Sequence, residues 1–152
     1  MKGTLSFTIG KNMDFYYSEN DGLTIFNGIR DREDIRRAIG IGYSVLPQTE
    51  FSENSVDAFG NAVARCWYDA SNKCIEIEIY DISAKFYLHN QQLIGISYSE
   101  IKDILKNKNI DYCFDEEGLG INIFGDTIRF YISKIDEYGE SSKVEAVWIR
   151  IP

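Results

Sequence analysis

The sequence is short of the residues that most often carry out chemistry. Among 152 residues it has one histidine, three cysteines and two prolines. A zinc site needs several Cys or His ligands at short spacing, and Cys66, Cys74, Cys113 and His89 supply no such pairs. A Cys–His nucleophile would need the imidazole held beside a thiol. His89 instead sits in the turn-like stretch LHNQQ, while the cysteines lie in or next to strand-like segments, so no catalytic dyad is expected. The acidic run DYCFDEEG (Asp111–Gly118) lacks the regular alternation of oxygen ligands found in calcium loops. In GLGINIFG (Gly118–Gly125) the glycines are not followed by a helix that would present amides to a phosphate. No metal, no cofactor and no enzymatic activity are expected.

Long apolar runs are also missing. The opening MKGTLSFTIGKNMDFYYSEN interrupts every hydrophobic run with polar residues, so neither a signal peptide nor a membrane span is expected there. An odd cysteine count without a secretion signal points to reduced thiols and a cytoplasmic location. Cys66 and Cys74 flank DASNK and could face each other across a hairpin, but a disulfide is not expected in that compartment. Basic charge is scarce: 16 Lys and Arg stand against 24 Asp and Glu, a net charge of −8. Such a field repels phosphates, which argues against direct binding of nucleic acid or anionic membranes, and it speeds encounter with a basic partner.

What the chain does have is core. A hydrophobic fraction of 44% and an aromatic fraction of 14% over this length fit one domain spanning 1–152. It also writes one pattern twice. FGNAV (Phe59–Val63) answers FGDTI (Phe124–Ile128), DFYY (Asp14–Tyr17) answers KFYL (Lys85–Leu88), and LTIFNGI (Leu23–Ile29) answers QLIGI (Gln92–Ile96). Each half closes on an alternating strand, CIEIEIY (Cys74–Tyr80) or KVEAVWIRI (Lys143–Ile151). The repeats run from about 13 to 80 and about 84 to 151, too long a period for a stacked array of small repeats.

The helix signals are clear in both halves. Ser97 and Glu100 are spaced for a capping box, Ile96 and Ile101 for a hydrophobic staple, and Ile101, Ile104 and Leu105 form the apolar stripe. In the first half Asp31 takes the cap position, Ile35, Ala38 and Ile39 form the stripe, and Gly40 ends the helix. IEIEI places Ile75, Ile77 and Ile79 on one face, and TIRFYI places Ile128, Phe130 and Ile132 together. Gly60 and Gly125 read as bends. The expected fold is α+β: two tandem hairpin–helix–meander repeats forming one mainly antiparallel sheet, with two short helices on one face. The other face would show glutamates, arginines and aromatic rings to solvent.

Charge is segregated along the chain. Ser44–Ala64 carries only Glu50, Glu53 and Asp57; Ile110–Ile128 carries Asp111, Asp115, Glu116, Glu117 and Asp126; neither contains a basic residue. Arg30, Arg32, Arg36, Arg37, Lys102, Lys106 and Lys108 gather around the helices. A basic helical side and an acidic, partner-facing loop side are expected.

This doubled pattern of capped helix, acidic loop and aromatic strands, carried by FGNAV, FGDTI and SYSEIKDIL (Ser97–Leu105), resembles the tandem repeat of the β-lactamase-inhibitory protein. The whole chain also resembles the small acidic immunity proteins of bacterial contact-dependent inhibition and related polymorphic toxin systems. The resemblance implies a cytosolic immunity protein that binds a cognate toxin domain, a basic nuclease above all, and occludes its active site. The expected contact residues are Tyr98, Tyr112, Phe114, Asp115, Glu116 and Glu117, with Glu50, Glu53 and Asp57 in the first repeat. The alternative is an intracellular adaptor that presents its duplicated sheet to a cellular partner. The oligomeric state is left open, since an exposed strand edge from either repeat could pair with another copy.

Overall fold

A computed structural model describes residues 13–80, 83–115 and 117–152. Its strands are β1 (Met13–Ser18), β2 (Gly22–Leu23), β3 (Tyr43–Leu46), β4 (Val56–Phe59), β5 (Ala64–Tyr68), β6 (Cys74–Tyr80), β7 (Ala84–Leu88), β8 (Gln91–Gln92), β9 (Tyr112–Phe114), β10 (Gly120–Ile123), β11 (Ile128–Tyr131) and β12 (Ala146–Arg150). Its helices are α1 (Arg32–Ile39), α2 (Tyr98–Asn107) and the single turn α3 (Ile135–Tyr138). The order strand, strand, helix, four strands occurs twice, with α3 inserted before β12.

The protein is α+β, but it has three short helices where two were expected, and its strands form two sheets, not one. Eight antiparallel strands make the larger, in the order β3-β4-β5-β6-β12-β11-β10-β9. The first hairpin of each half leaves that sheet, and the two build a smaller mixed sheet, β2-β1-β7-β8. Its centre is a parallel pair in which Phe15 lies beside Phe86 and Tyr16 beside Tyr87. The pairing sorts the two faces: both phenylalanines are fully buried, while the tyrosine rings stack outside at 4.6 Å. A period-2 pattern shows which face of a strand is dry and says nothing about which strand lies beside it.

One core lies between the layers. It joins Phe15 and Phe86 of the small sheet, Ile35 and Ile39 of α1, Ile101 and Leu105 of α2, and the inward residues of the large sheet. Phe86 meets Phe130 edge-on at 6.2 Å. Each fully buried isoleucine or leucine contributes about 1.5–3 kcal/mol, and that burial is what holds helices this short.

The helix ends differ in chemistry. At α2 the Ser97 hydroxyl accepts from the Glu100 N–H at 3.1 Å, and the Glu100 carboxylate accepts from the Ser97 N–H at 3.1 Å, closing the capping box. Asp31 occupies the cap position of α1 but makes no side-chain capping bond; its carboxylate pairs with Lys73. Gly40 ends α1 at φ 72°, its N–H donating to the Arg36 carbonyl at 3.0 Å. The doubled Phe-Gly lies in the hairpin connections β4–β5 and β10–β11, where Gly60 and Gly125 take φ 60° and 67°.

Candidate functional site

The large sheet has one covered face and one that no described element covers. Its register lines residues up in rows across all eight strands. The inward row runs Tyr43, Phe59, Ala64, Ile79, Val147, Phe130, Ile121, Phe114. The next row points outward: Ser44, Ala58, Arg65, Glu78, Trp148, Arg129, Asn122, Cys113. One row further on the outer face, Trp67 lies opposite Glu76 and Glu76 opposite Arg150. Period-2 geometry therefore puts both tryptophans of the chain on the same uncovered face, with ring centroids 6.5 Å apart.

Charged neighbours hold these rings in place. The Arg129 guanidinium stands 4.8 Å over the Trp148 ring, and Arg65 lies 6.0 Å from the Tyr80 ring. The Tyr80 hydroxyl donates to Glu78 Oε1 at 2.7 Å; burial chiefly, and this bond, raise its pKa. Burial pushes the Glu76 pKa up from its ordinary value, with Arg150 and Arg129 pulling the other way. The indole Nε1 of Trp148 is buried and faces the Glu76 carboxylate, whose charge it favours although the contact falls outside hydrogen-bond geometry. Glu76, Asp126, Arg129, Trp148 and Arg150 line a niche of about 10 Å³, about the room of one water. The face presents flat aromatic area, guanidinium forks and carboxylates.

A larger cleft, about 490 Å³, opens between the β1–β2 turn and the end of β12, lined among others by Glu19, Asp21, Phe26, Arg30, Phe124 and Arg150. At its rim the Glu19 carboxylate meets His89 Nε2 at 2.7 Å, and this bond holds the Glu19 pKa below its usual value. His89 thus pairs with a carboxylate and not with a thiol. Cys66 and Cys74 are buried free thiols, the Cys66 pKa driven up by burial first and then by Cys74 beside it, which makes it a poor nucleophile. Cys113 is free and exposed. Among the described residues no three His, Cys, Asp or Glu side chains converge on a metal position, and no helix is long and apolar enough to cross a membrane.

The structure redistributes the residues expected to contact a partner. Asp57 is not on the surface: it is fully buried on the inner face of β4. Its carboxylate accepts from Arg32 Nη2 at 2.8 Å and Nε at 3.3 Å, from Arg36 Nε at 2.8 Å and Nη2 at 2.9 Å, and from the Tyr68 hydroxyl at 2.9 Å. Arg32 and Arg36, read as part of a basic helical side, are turned inward onto it. Tyr98 is also buried, its ring beneath the Lys102 ammonium at 4.1 Å. Tyr112 and Phe114 pack edge-on at 5.8 Å on β9; Tyr112 is half-buried and Phe114 exposed. Asp115 is half-buried, and Glu50, Glu53 and Glu117 are exposed; Glu116 lies outside the described residues.

The two acidic segments do not make one side. The first holds β3 and β4, the second β9 and β10, and these pairs are the opposite edges of the eight-stranded sheet. Seven strand spacings separate β3 from β9, about 33 Å along a flat sheet. Sequence equivalence between repeats carries no information on distance, because a two-fold arrangement sends equivalent loops to opposite corners. Trp67, Trp148, Arg65 and Arg129 are the surface residues that sequence reasoning did not single out. The available signal was alternation: AVWIR and ARCWY each place a tryptophan out of phase with the buried residues.

No family model, curated protein or solved structure matches this chain.

Proposed function

We propose that this protein is a non-catalytic binding protein that docks a partner protein on the outer face of its large sheet, and that it serves as an immunity-type protein neutralising a cognate toxin domain. The observation that carries the reading is the convergence of Trp67 and Trp148, with Arg65 and Arg129 beside them, on a sheet face that no described element covers. Tryptophan, tyrosine and arginine dominate binding hot spots, the aromatics because they bring large, stiff contact area at low entropic cost and arginine because its planar fork makes several hydrogen bonds at once. A net charge of −8 speeds encounter with a basic partner such as a nuclease toxin. Occlusion of the toxin needs no chemistry from this chain. Its free thiols support action in a reducing compartment.

The test is co-expression with each candidate toxin domain from the neighbouring genes, read by rescue of growth and by isolation of a stable complex. Trp67→Ala with Trp148→Ala weakens that complex by about 30-fold or more, the effect of losing a 2 kcal/mol anchor. Full rescue and unchanged affinity in the double variant would refute the assignment of the face. Absence of both rescue and complex with the native chain would refute the toxin reading.

A further inference from the structure

An eight-stranded open sheet has two edges, and this chain builds them differently. β9 is three residues long and bracketed by Asp111 and Asp115. Two copies pairing there about Cys113 would set Asp111 of one against Asp115 of the other, like charges face to face. β3 is four residues long, and 42–49 (GYSVLPQT) contains no Lys, Arg, Asp or Glu. The usual guards of an exposed edge, a lysine, a proline or a bulge, are absent until Pro47. Tyr43 is 43% exposed, Val45 50%, and Phe51 on the following loop 88%.

The backbone is set for pairing. The Gly60 N–H donates to the Gly42 carbonyl at 2.8 Å, which makes Gly42–Gly60 a hydrogen-bonded pair of the antiparallel ladder. Alternation then turns the amides and carbonyls of Ser44 and Leu46 toward β4. Those of Tyr43 and Val45 point out of the sheet. Two residues apart is the spacing at which an incoming antiparallel strand makes its bonds.

We propose that a second copy of this chain docks on this edge, β3 against β3, about a two-fold axis at Ser44. A two-fold interface needs a patch that is its own complement, and Tyr43-Ser44-Val45 is one. The serines meet at the axis. Tyr43 of each copy faces Val45 of the other, an aromatic ring against a β-branched side chain, and both pairs exchange backbone hydrogen bonds. No carboxylate lies on the paired strands despite the net charge of −8. The joined sheet is continuous, and the axis runs perpendicular to it. Both outer faces, each with its Trp67 and Trp148, therefore look the same way, so a dimer presents its partner with two binding surfaces side by side.

This inference stands apart from the identity of the partner, and its test is separate. Sedimentation velocity of the full chain from about 1 µM to about 1 mM spans the range of weak interfaces. The native chain moves from monomer to dimer mass, and isotope-filtered NMR of mixed labelled and unlabelled chains shows contacts between the Tyr43 ring and the Val45 methyls of different copies. Val45→Pro removes only the outward N–H, a change that a solvent-facing edge tolerates. Val45→Lys adds like charge to both sides of the axis. Each variant keeps the native circular dichroism and associates at least about tenfold more weakly. Monomer mass at every concentration would overturn the proposal, as would a dimer that survives both variants or lacks the Tyr43–Val45 contact. Loss of the toxin complex, and not of a dimer, in Val45→Pro would assign the edge to a strand of the partner and overturn it as well.

Discussion

Replacing Asp57 with alanine tests how the first half of the fold is fastened. Its carboxylate is fully buried and receives five hydrogen bonds from Arg32, Arg36 and Tyr68. Without it, two guanidinium groups lose their anion, and removing one partner of such a buried pair costs about 3–5 kcal/mol. The lower end applies here. Arg32 keeps acceptors in Ser55 at 3.0 Å, Asn72 at 3.2 Å and Asn54 at 3.4 Å, while Arg36 keeps Glu33 at 2.7 Å and is partly open to water. A loss of about 3 kcal/mol lowers the melting temperature of a chain this size by about 6–12 °C. Urea denaturation monitored by tryptophan fluorescence reads the same loss at constant slope. Burial by itself would raise the Asp57 pKa, but the hydrogen bonds from Arg36, Arg32 and Tyr68 outweigh it and hold it below the reference value of 3.8. A depressed carboxylate pKa stabilises the fold fully above the unfolded-state value, and this contribution fades as pH falls from there through the folded-state value. The gap between native and Asp57→Ala stability is therefore constant near neutrality and narrows below about pH 4. A difference under about 1 kcal/mol at pH 7, or a gap that does not narrow in acid, would show that the ion cluster is not what ties α1 to β4.

Three smaller perturbations separate look-alike features and a surface from its setting. Ser97→Ala removes a closed capping box and costs about 1 kcal/mol by thermal or urea denaturation, whereas Asp31→Ala removes only an exposed ion pair and costs about half that or less; equal losses would contradict the contrast between the two helix ends. Glu76 has a raised folded-state pKa, so ionising it disfavours the fold: stability declines slightly as pH rises through its unfolded and then its folded value, and Glu76→Gln flattens that decline. Because Glu76 lies between Trp67 and Arg150 on the outer face, the same titration registers in tryptophan emission, and a native emission curve whose acid inflection is not displaced upward from the ordinary glutamate value would refute the burial of its charge.

Local features were legible in the sequence wherever their cause is local. The capping box at Ser97 depends on residues three apart, the left-handed ends at Gly40, Gly60 and Gly125 depend on one missing side chain, and the dry faces of β6 and β11 depend on a period of two. The site was less legible. Tyr112 and Phe114 do come together, but Asp57 and Tyr98 turned out to be buried, because whether a carboxylate or ring faces solvent depends on what packs against it. Charge counted along the chain misled for the same reason: Arg32 and Arg36 belong to a surface helix in sequence and to a buried ion cluster in space.

By itself the sequence determined two of the three short helices, the doubled order of their segments and the alternation that separates a covered from an uncovered sheet face. Tertiary structure alone decided that the leading hairpins pair with each other in a second sheet, that the acidic segments end at opposite edges, and that Trp67 and Trp148 become neighbours. The reason is physical. Periodicity and capping are set by bonds a few residues long, whereas strand partners are chosen by which buried surfaces fit once the whole chain has collapsed.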